Sequence, residues 1–123
     1  MDKRLTGLRI LVVEDESIIA MLLEDMLEGF GCAVVGPIAG IEAAIARVRQ
    51  GRLDGALLDM NVHGESTVPV AEKLAGRAIP FLLVTGYGDR DNDPAVIRAA
   101  PRLKKPFNEA DLARRMVEVF VGG

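Results

Sequence analysis

The chain has 123 residues, a length typical of a single domain, and 50% of them are hydrophobic. The formal net charge of −3 shows no bias toward nucleic acid or a membrane surface. No apolar run approaches the roughly 18 residues needed to span a bilayer, and the N-terminus lacks a signal-peptide pattern. The single cysteine, Cys32, excludes an internal disulfide, so we expect one cytoplasmic domain over residues 1–123.

Helical and strand patterns alternate along the chain, which favours a parallel sheet with crossover helices. The apolar runs predict strands at about 8–13, 32–36, 55–58 and 80–84, and a fifth around Leu103. The predicted helices cover about 17–29, 41–51, 67–75, 95–99 and 109–121. Pro37 argues against extending the second strand as a central strand, because proline cannot donate to a ladder. Cys32, at the start of that strand, is interpreted as a small core residue.

Helical spacing also predicts which side chains are buried. The first helix is expected to bury a stripe that includes Leu22, Leu23 and Leu27. The last helix is expected to bury its four large apolar side chains, which are Leu112, Met116, Val119 and Phe120. Before the third helix, Ser66 and Thr67 offer N-cap chemistry.

Polar groups follow four of the predicted strands. Glu14-Asp15 follows the first strand, Asp59 the third, Thr85 stands at the fourth and Lys105 follows the fifth. Open α/β sheets place ligand sites at the carboxyl ends of their strands, so these groups are predicted to converge in one crevice. Three carboxylates suit a hard cation such as Mg²⁺. A carboxylate can attack phosphorus, with an ammonium and a hydroxyl binding the transferred oxygens.

Each of these residues has a simpler interpretation when it is taken alone. Glu14-Asp15 could merely interact favourably with the dipole at the start of the following helix, and Asp59 could only shape a turn. Lys105 could be a solvated surface lysine, and the Thr85 hydroxyl could be satisfied by backbone. The combination of all of them at successive strand ends favours the chemical interpretation.

Four segments of the chain resemble the motifs of receiver domains of two-component response regulators. They are Ile10-Leu11-Val12-Val13-Glu14-Asp15-Glu16, Leu57-Leu58-Asp59-Met60-Asn61, Val84-Thr85-Gly86 and Lys105-Pro106-Phe107. The resemblance covers essentially the whole chain in the family's order. It implies an α/β, flavodoxin-like, doubly wound five-stranded parallel sheet with strand order 2-1-3-4-5.

The resemblance also implies roles for individual residues. Asp59 matches the phosphoacceptor, Glu14 and Asp15 match the acidic pair that binds Mg²⁺, and Asn61 matches the position whose backbone carbonyl joins them. Thr85 matches the switch hydroxyl and Lys105 the phosphate-contacting lysine, with a cis peptide bond expected between Lys105 and Pro106.

Two positions depart from the family pattern. His63 stands where receivers commonly carry proline, and we interpret it as a solvent-facing loop residue. Arg102 stands three residues before Lys105, where receivers usually carry the aromatic residue that moves with the threonine. Without that aromatic, the chain resembles the receiver subgroup known as FATGUY, in which motion of the loop after the fourth strand is thought to replace the aromatic.

That loop begins at Gly86, Tyr87 and Gly88, and its glycines permit unusual backbone angles. A polar stretch follows it directly, so we expect a mobile segment from Tyr87 to about Asp93 that orders on phosphorylation. An ordinary solvated loop is the alternative.

The sequence therefore predicts a phosphoacceptor receiver rather than a dedicated enzyme. The expected partners are a histidine kinase or a histidine phosphotransfer protein and a downstream protein target, with no nucleic acid or membrane. Signalling is expected through the surface of the fourth helix, fifth strand and fifth helix, and homodimerisation is left open. The main alternative is a pseudo-receiver that binds partners without phosphorylation. A phosphatase of the haloacid dehalogenase type is disfavoured, because Asn61 stands where its general acid is needed.

Overall fold

The computed structural model describes residues 3–86 and 93–122. Its core is a five-stranded parallel sheet with the order β2-β1-β3-β4-β5. The strands, numbered along the chain, are β1 (Arg9–Val13), β2 (Ala33–Ile38), β3 (Gly55–Leu58), β4 (Phe81–Thr85) and β5 (Arg102–Lys104). The predicted fold class and strand order are confirmed.

Five helices connect and follow these strands. They are α1 (Ser17–Gly29), α2 (Ile41–Arg49), α3 (Val68–Gly76), α4 (Ala95–Arg98) and α5 (Glu109–Met116). The helix predicted to run to Val121 does so, but its last part, Val117–Val121, is a π-helical turn. Two short features were not predicted: a 3₁₀ turn at Lys3–Leu5, and an antiparallel ribbon that pairs Asn61–Val62 with Glu65–Ser66.

The helices cover both faces of the sheet, because successive side chains of a buried strand point to opposite sides. In β1, Leu11 and Val13 pack with residues of α2, α3 and α4, whereas Ile10 and Val12 pack with residues of α1 and α5. Apolar layers thus pack against both faces of the sheet, and the polar groups all lie at the carboxyl ends of its strands.

The boundary of β2 differs from the prediction, because the strand continues through Pro37 to Ile38. It lies at the edge of the sheet, where a proline is tolerated. A register shift accompanies it, with Leu11 opposite Val35 and Val13 opposite Ile38. Gly36 lies at this irregularity with φ +100°, and a Cβ there would lie 2.8 Å from the nitrogen of Ile38.

The predicted buried faces of the helices are largely observed, with one error. Leu23 and Leu27 are buried in α1, but Leu22 is 47% exposed and the buried stripe passes through Ala20 instead. In the last helix Leu112 and Met116 are fully buried, while Val119 and Phe120 are only partly buried. Cys32 is buried, as predicted, and its thiol donates to the carbonyl of Leu5 at 3.3 Å.

Within the two described ranges, 3–86 and 93–122, no helix has both the length and the apolar character required to cross a membrane.

Candidate functional site

Glu14 is held by backbone contacts where β1 ends. Its N–H donates to the carbonyl of Ile38 on the edge strand at 3.1 Å, and its Oε1 accepts from the N–H of Glu16 at 3.1 Å. The residue is 2% exposed. Burial is the main reason that the pKa of Glu14 is raised, and the nearby carboxylate of Asp59 raises it further. A carboxyl group in this environment favours a compensating cation.

Asp15 faces the loop after β3. Its Oδ2 accepts a hydrogen bond from the backbone N–H of His63 at 2.9 Å, and that bond is the main reason that its pKa is lowered. The His63 ring itself is exposed, as predicted, with Nδ1 3.9 Å from the same oxygen. His63 has a φ of 51°, in the left-handed region. The turn therefore aims a backbone donor at Asp15, a contact that the sequence did not predict.

Asp59 follows β3 directly, and its two carboxylate oxygens have different surroundings. Its N–H donates to the carbonyl of Val13 at 3.1 Å, which fixes the residue next to the end of β1. Oδ1 accepts from the N–H of Met60 at 2.8 Å, whereas Oδ2 lies 3.7 Å from the Nζ of Lys105. One oxygen is held by backbone and the other faces a cation.

Thr85 is the last residue of β4, and Lys105 directly follows β5. The N–H of Lys105 donates to the carbonyl of Thr85 at 2.8 Å, and Thr85 itself is 1% exposed. The Lys105 side chain reaches back toward the centre of the sheet, where Nζ lies 3.5 Å from Oε2 of Glu14. The peptide bond between Lys105 and Pro106 is cis, as the resemblance implied.

The three carboxylates form one cluster. Glu14, Asp15 and Asp59 each offer an oxygen, and these oxygens lie within 4.8 Å of one another. An all-oxygen donor set of this kind fits Mg²⁺, which commonly binds one or two protein carboxylates and keeps several waters. The cluster opens into a cleft of about 380 Å³ whose polar lining residues include Asp15, Asp59, Asn61, Thr85 and Lys105.

The predicted site residues are therefore brought together, although their individual roles stay predictions. Gly86 also lines the cleft and is exposed. Tyr87 and Gly88, together with most of the segment expected to be mobile, lie outside the described residues. The predicted assignment to the FATGUY subgroup rests partly on them and stays a prediction.

Thr67 contacts the site in a way that the sequence pattern does not predict. It occupies the N-cap position of α3, as predicted, but its hydroxyl makes no capping bond. The hydroxyl instead donates to the carbonyl of Asp59 at 2.6 Å, and the carbonyl oxygen of Met60 lies 3.1 Å away. The neighbouring Ser66 provides the bond at the helix start, with Oγ accepting from the N–H of Val68 at 3.2 Å. No local pattern distinguishes these two hydroxyls.

Arg102 lies in β5, at the position where receivers usually carry an aromatic residue. Its guanidinium donates to the carbonyl of Ile97 in α4 at 2.9 Å, and its own carbonyl accepts from Arg115 at 3.4 Å. The side chain thus connects β5 to α4.

Comparison with known proteins agrees with this architecture. The family model described as the response regulator receiver domain matches residues 10–117. The chain belongs to this family. Receiver domains are signalling domains of two-component systems rather than dedicated enzymes.

The relatives include longer regulators. The DNA-binding response regulator MtrA of Mycobacterium tuberculosis is 34% identical over 113 residues, which cover 88% of this chain and 48% of MtrA. The transcriptional regulatory protein TcrA of the same species is 33% identical over 117 residues, covering 92% of this chain and 46% of TcrA. The chain thus spans about half the length of the curated relatives it matches.

Among solved structures, SdrG from Sphingomonas melonis Fr1 is 42% identical with a TM-score of 0.78, covering 95% of this chain and 97% of SdrG. The receiver domain of the sensor histidine kinase PA1611 from Pseudomonas aeruginosa is 24% identical with a TM-score of 0.81, covering 96% and 100%. That structure has a magnesium ion coordinated in its active site cleft, but at this identity the likeness supports the fold alone.

Proposed function

We propose that this receiver accepts a phosphoryl group on Asp59 from the phosphohistidine of a histidine kinase or a histidine phosphotransfer protein. Mg²⁺ is the proposed cofactor, held by the carboxylates of Glu14, Asp15 and Asp59 and by the backbone carbonyl of Asn61. The phosphorylated form signals to a downstream protein target by a shift between conformations. We also propose a cytoplasmic setting, in which the buried thiol of Cys32 stays reduced.

The observation that carries the proposal is the difference between the two oxygens of Asp59. Oδ1 accepts the N–H of Met60, whereas Oδ2 is 3.7 Å from the Lys105 ammonium, and both Asp59 and Lys105 line the cleft. Oδ2 attacks phosphorus and forms the new P–O bond, while the P–N bond to the donor histidine breaks. The phosphohistidine ring carries a proton on its other nitrogen, and the electron pair of the broken bond stays on the nitrogen that held phosphorus. The products are therefore an acyl phosphate on Asp59 and a neutral histidine.

The other residues of the cleft act on the charge of the transferred group. The Lys105 ammonium is placed to bind a phosphoryl oxygen, and the Thr85 hydroxyl is proposed to bind a second one. When bound, Mg²⁺ supplies the positive charge that lets an anionic phosphoryl group approach three carboxylates. Burial raises the pKa of Glu14, and a nearby positive charge favours the ionised form of its carboxyl group.

The relative SdrG supports a conformational readout of this chemistry. Its BeF3-activated conformation has been solved, and that chain is 42% identical to this one. We propose that BeF3 together with Mg²⁺ produces an activated conformation here as well.

Intact-mass spectrometry with acetyl phosphate as the donor tests the proposal. We expect a gain of about 80 Da, one phosphoryl group, that requires Mg²⁺ and disappears in Asp59→Asn. Asp54→Asn is the matched control, since Asp54 precedes β3 at its opposite end, where its carboxylate accepts from the N–H of Arg9 at 2.8 Å. This variant should be phosphorylated like the wild type.

Two results would overturn the proposal. A mass gain that persists in Asp59→Asn would move the acceptor to another residue. No gain with either acetyl phosphate or a phosphorylated histidine phosphotransfer protein, together with no Mg²⁺ binding by calorimetry, would favour a binding module that works without phosphorylation.

A further inference from the structure

Thr67 connects the start of α3 to the backbone of the proposed acceptor. The residue is fully buried, and its hydroxyl lies 2.6 Å from the carbonyl oxygen of Asp59. Thr67 lies eight positions after Asp59 in the sequence, and none of the four family motifs in the chain includes it. A buried hydroxyl at this distance forms a short hydrogen bond to the carbonyl, and no water competes with the hydroxyl as a donor.

This bond acts on the Asp59 carboxylate through the geometry of one peptide group. The carbonyl of Asp59 and the N–H of Met60 belong to the same planar unit and point in opposite directions. The carbonyl end accepts from Thr67, and the N–H end donates to Oδ1 of Asp59 at 2.8 Å. Fixing the direction of the carbonyl therefore fixes the donor that orients the carboxylate.

The next peptide group is held by the same residue. The carbonyl of Met60 accepts from the backbone N–H of Thr67 at 3.0 Å and lies 3.1 Å from its hydroxyl. The carbonyl of Thr67 in turn accepts from the N–H groups of Val70 and Ala71, each at 3.0 Å. The first turn of α3 is thus the rigid element to which both peptide groups after β3 are attached.

We propose that Thr67 is a positioning residue that sets the orientation of the Asp59 carboxylate through the peptide plane between Asp59 and Met60. This inference rests on the proposed function for its effect on phosphotransfer, but its effect on metal binding requires only the acidic cluster. Loss of the hydroxyl leaves the Asp59 carbonyl without this donor in a place that water does not reach. The peptide plane can then rotate more freely, so the N–H of Met60 no longer holds Oδ1 in one place. The carboxylate of Asp59 loses its fixed orientation as a result.

Thr67→Val tests the proposal, since it keeps the shape of the side chain and removes the hydroxyl. We expect the dissociation constant for Mg²⁺ to rise about tenfold, the usual minimum when a residue supporting a metal ligand is lost, and phosphorylation to slow similarly. Thr67→Ser keeps the donor and should stay within about twofold of the wild type. Thr67→Cys, with a weaker donor, should fall between the two.

Ser66→Ala is the matched control, because it removes the hydroxyl that accepts from Val68 and leaves the Asp59 carbonyl untouched. It should lower the melting temperature without changing Mg²⁺ affinity. In nuclear magnetic resonance spectra, the Met60 amide proton should shift and exchange faster in Thr67→Val but not in Ser66→Ala.

The outcomes separate the inference from the proposed function. If the wild type takes up phosphoryl groups and Thr67→Val binds Mg²⁺ and is phosphorylated within twofold of it, the positioning role is wrong. If the wild type is not phosphorylated at all, the proposed function fails, and Mg²⁺ affinity still decides the role of Thr67. Should Thr67→Val not fold, equal Mg²⁺ affinities of Thr67→Cys and Thr67→Ser would overturn the inference.

Discussion

The Nζ of Lys105 lies 3.5 Å from Oε2 of Glu14, a residue 91 positions earlier in the chain. The carboxyl of Glu14 is almost entirely buried, so burial raises its pKa, and the lysine acts in the opposite direction. The same ammonium lies 3.7 Å from Oδ2 of Asp59. Lys105 therefore neutralises part of the charge that a divalent cation would neutralise, and the two cations share the same carboxylates.

The first prediction follows from this competition and uses Lys105→Met. At pH 8, removal of the ammonium should tighten Mg²⁺ binding about fivefold, because two like charges a few ångströms apart repel each other. Phosphorylation by acetyl phosphate should nevertheless slow by about tenfold or more, since the phosphoryl oxygens lose a cationic partner. Calorimetry and an intact-mass time course give the two quantities.

Lys104→Met is the control for Lys105→Met, because Lys104 is the exposed lysine that ends β5, directly before Lys105. It should change neither quantity by more than about twofold, as expected for a screened surface charge. Equal or weaker Mg²⁺ binding in Lys105→Met would contradict the idea that the lysine and the metal compete.

The second prediction concerns alkaline pH and Cys32. Burial raises the pKa of the Cys32 thiol from 9.0 to about 11, so the folded state retains this proton more strongly than the unfolded state. The resulting stability is fully present below pH 9 and is lost as the pH rises toward 11. Its upper limit is about 2–3 kcal/mol.

Urea unfolding of the wild type and Cys32→Ser between pH 7 and pH 10.5 measures this contribution. Serine keeps a donor for the Leu5 carbonyl but does not titrate in this range. The difference in free energy of unfolding between the two proteins should therefore narrow as the pH rises. A difference that stays constant with pH would show that Cys32 ionises equally in both states.

Much of the site could be predicted from the sequence because the chemistry stands next to strongly apolar strands. The runs that end at Glu14, Asp59 and Thr85 are short and continuous, so both the strand and the polar residue after it are visible locally. Parallel pairing then brings the strand ends to one edge of the sheet whatever the details of the loops.

The features that were missed depend on distant parts of the chain. Pro37 is compatible with β2 only because that strand lies at the sheet edge, which is a property of the topology. Ser66 and Thr67 are equally good capping residues by sequence, and only the path of the backbone decides which hydroxyl faces Asp59. The exposure of Leu22 depends on where α1 sits on the sheet.

The third prediction concerns the contact between β3 and the last helix. Gly55 begins β3, and a Cβ there would lie 2.5 Å from Cδ1 of Phe120. Gly55→Ala should therefore lower the free energy of unfolding by about 1–3 kcal/mol, the usual range for overpacking. In a double-mutant cycle, Phe120→Leu should recover part of this loss, because the smaller side chain leaves space for the new methyl group.

Gly29→Ala is the matched control for Gly55→Ala, since a Cβ at the end of α1 would meet nothing within 4 Å. It should leave stability unchanged or raise it by up to about 1 kcal/mol. Strict additivity of Gly55→Ala and Phe120→Leu would contradict the steric explanation.

The last prediction concerns Arg102, whose guanidinium donates to the carbonyl of Ile97 at 2.9 Å. The helix α4 has only four residues, and this hydrogen bond from β5 adds to the packing of its buried Ile97 in the apolar core. Arg102→Ala should accelerate hydrogen exchange across residues 95–100 about fivefold or more, since local opening then breaks fewer bonds. Mg²⁺ affinity should stay within about twofold, because the proposed metal ligands are the carboxylates of Glu14, Asp15 and Asp59 and do not include Arg102.

Arg98→Ala is the control. It replaces an exposed arginine of α4 itself and should leave hydrogen exchange unchanged. Exchange that is equally fast in both variants would mean that general loss of charge, rather than the contact with Ile97, loosens this helix.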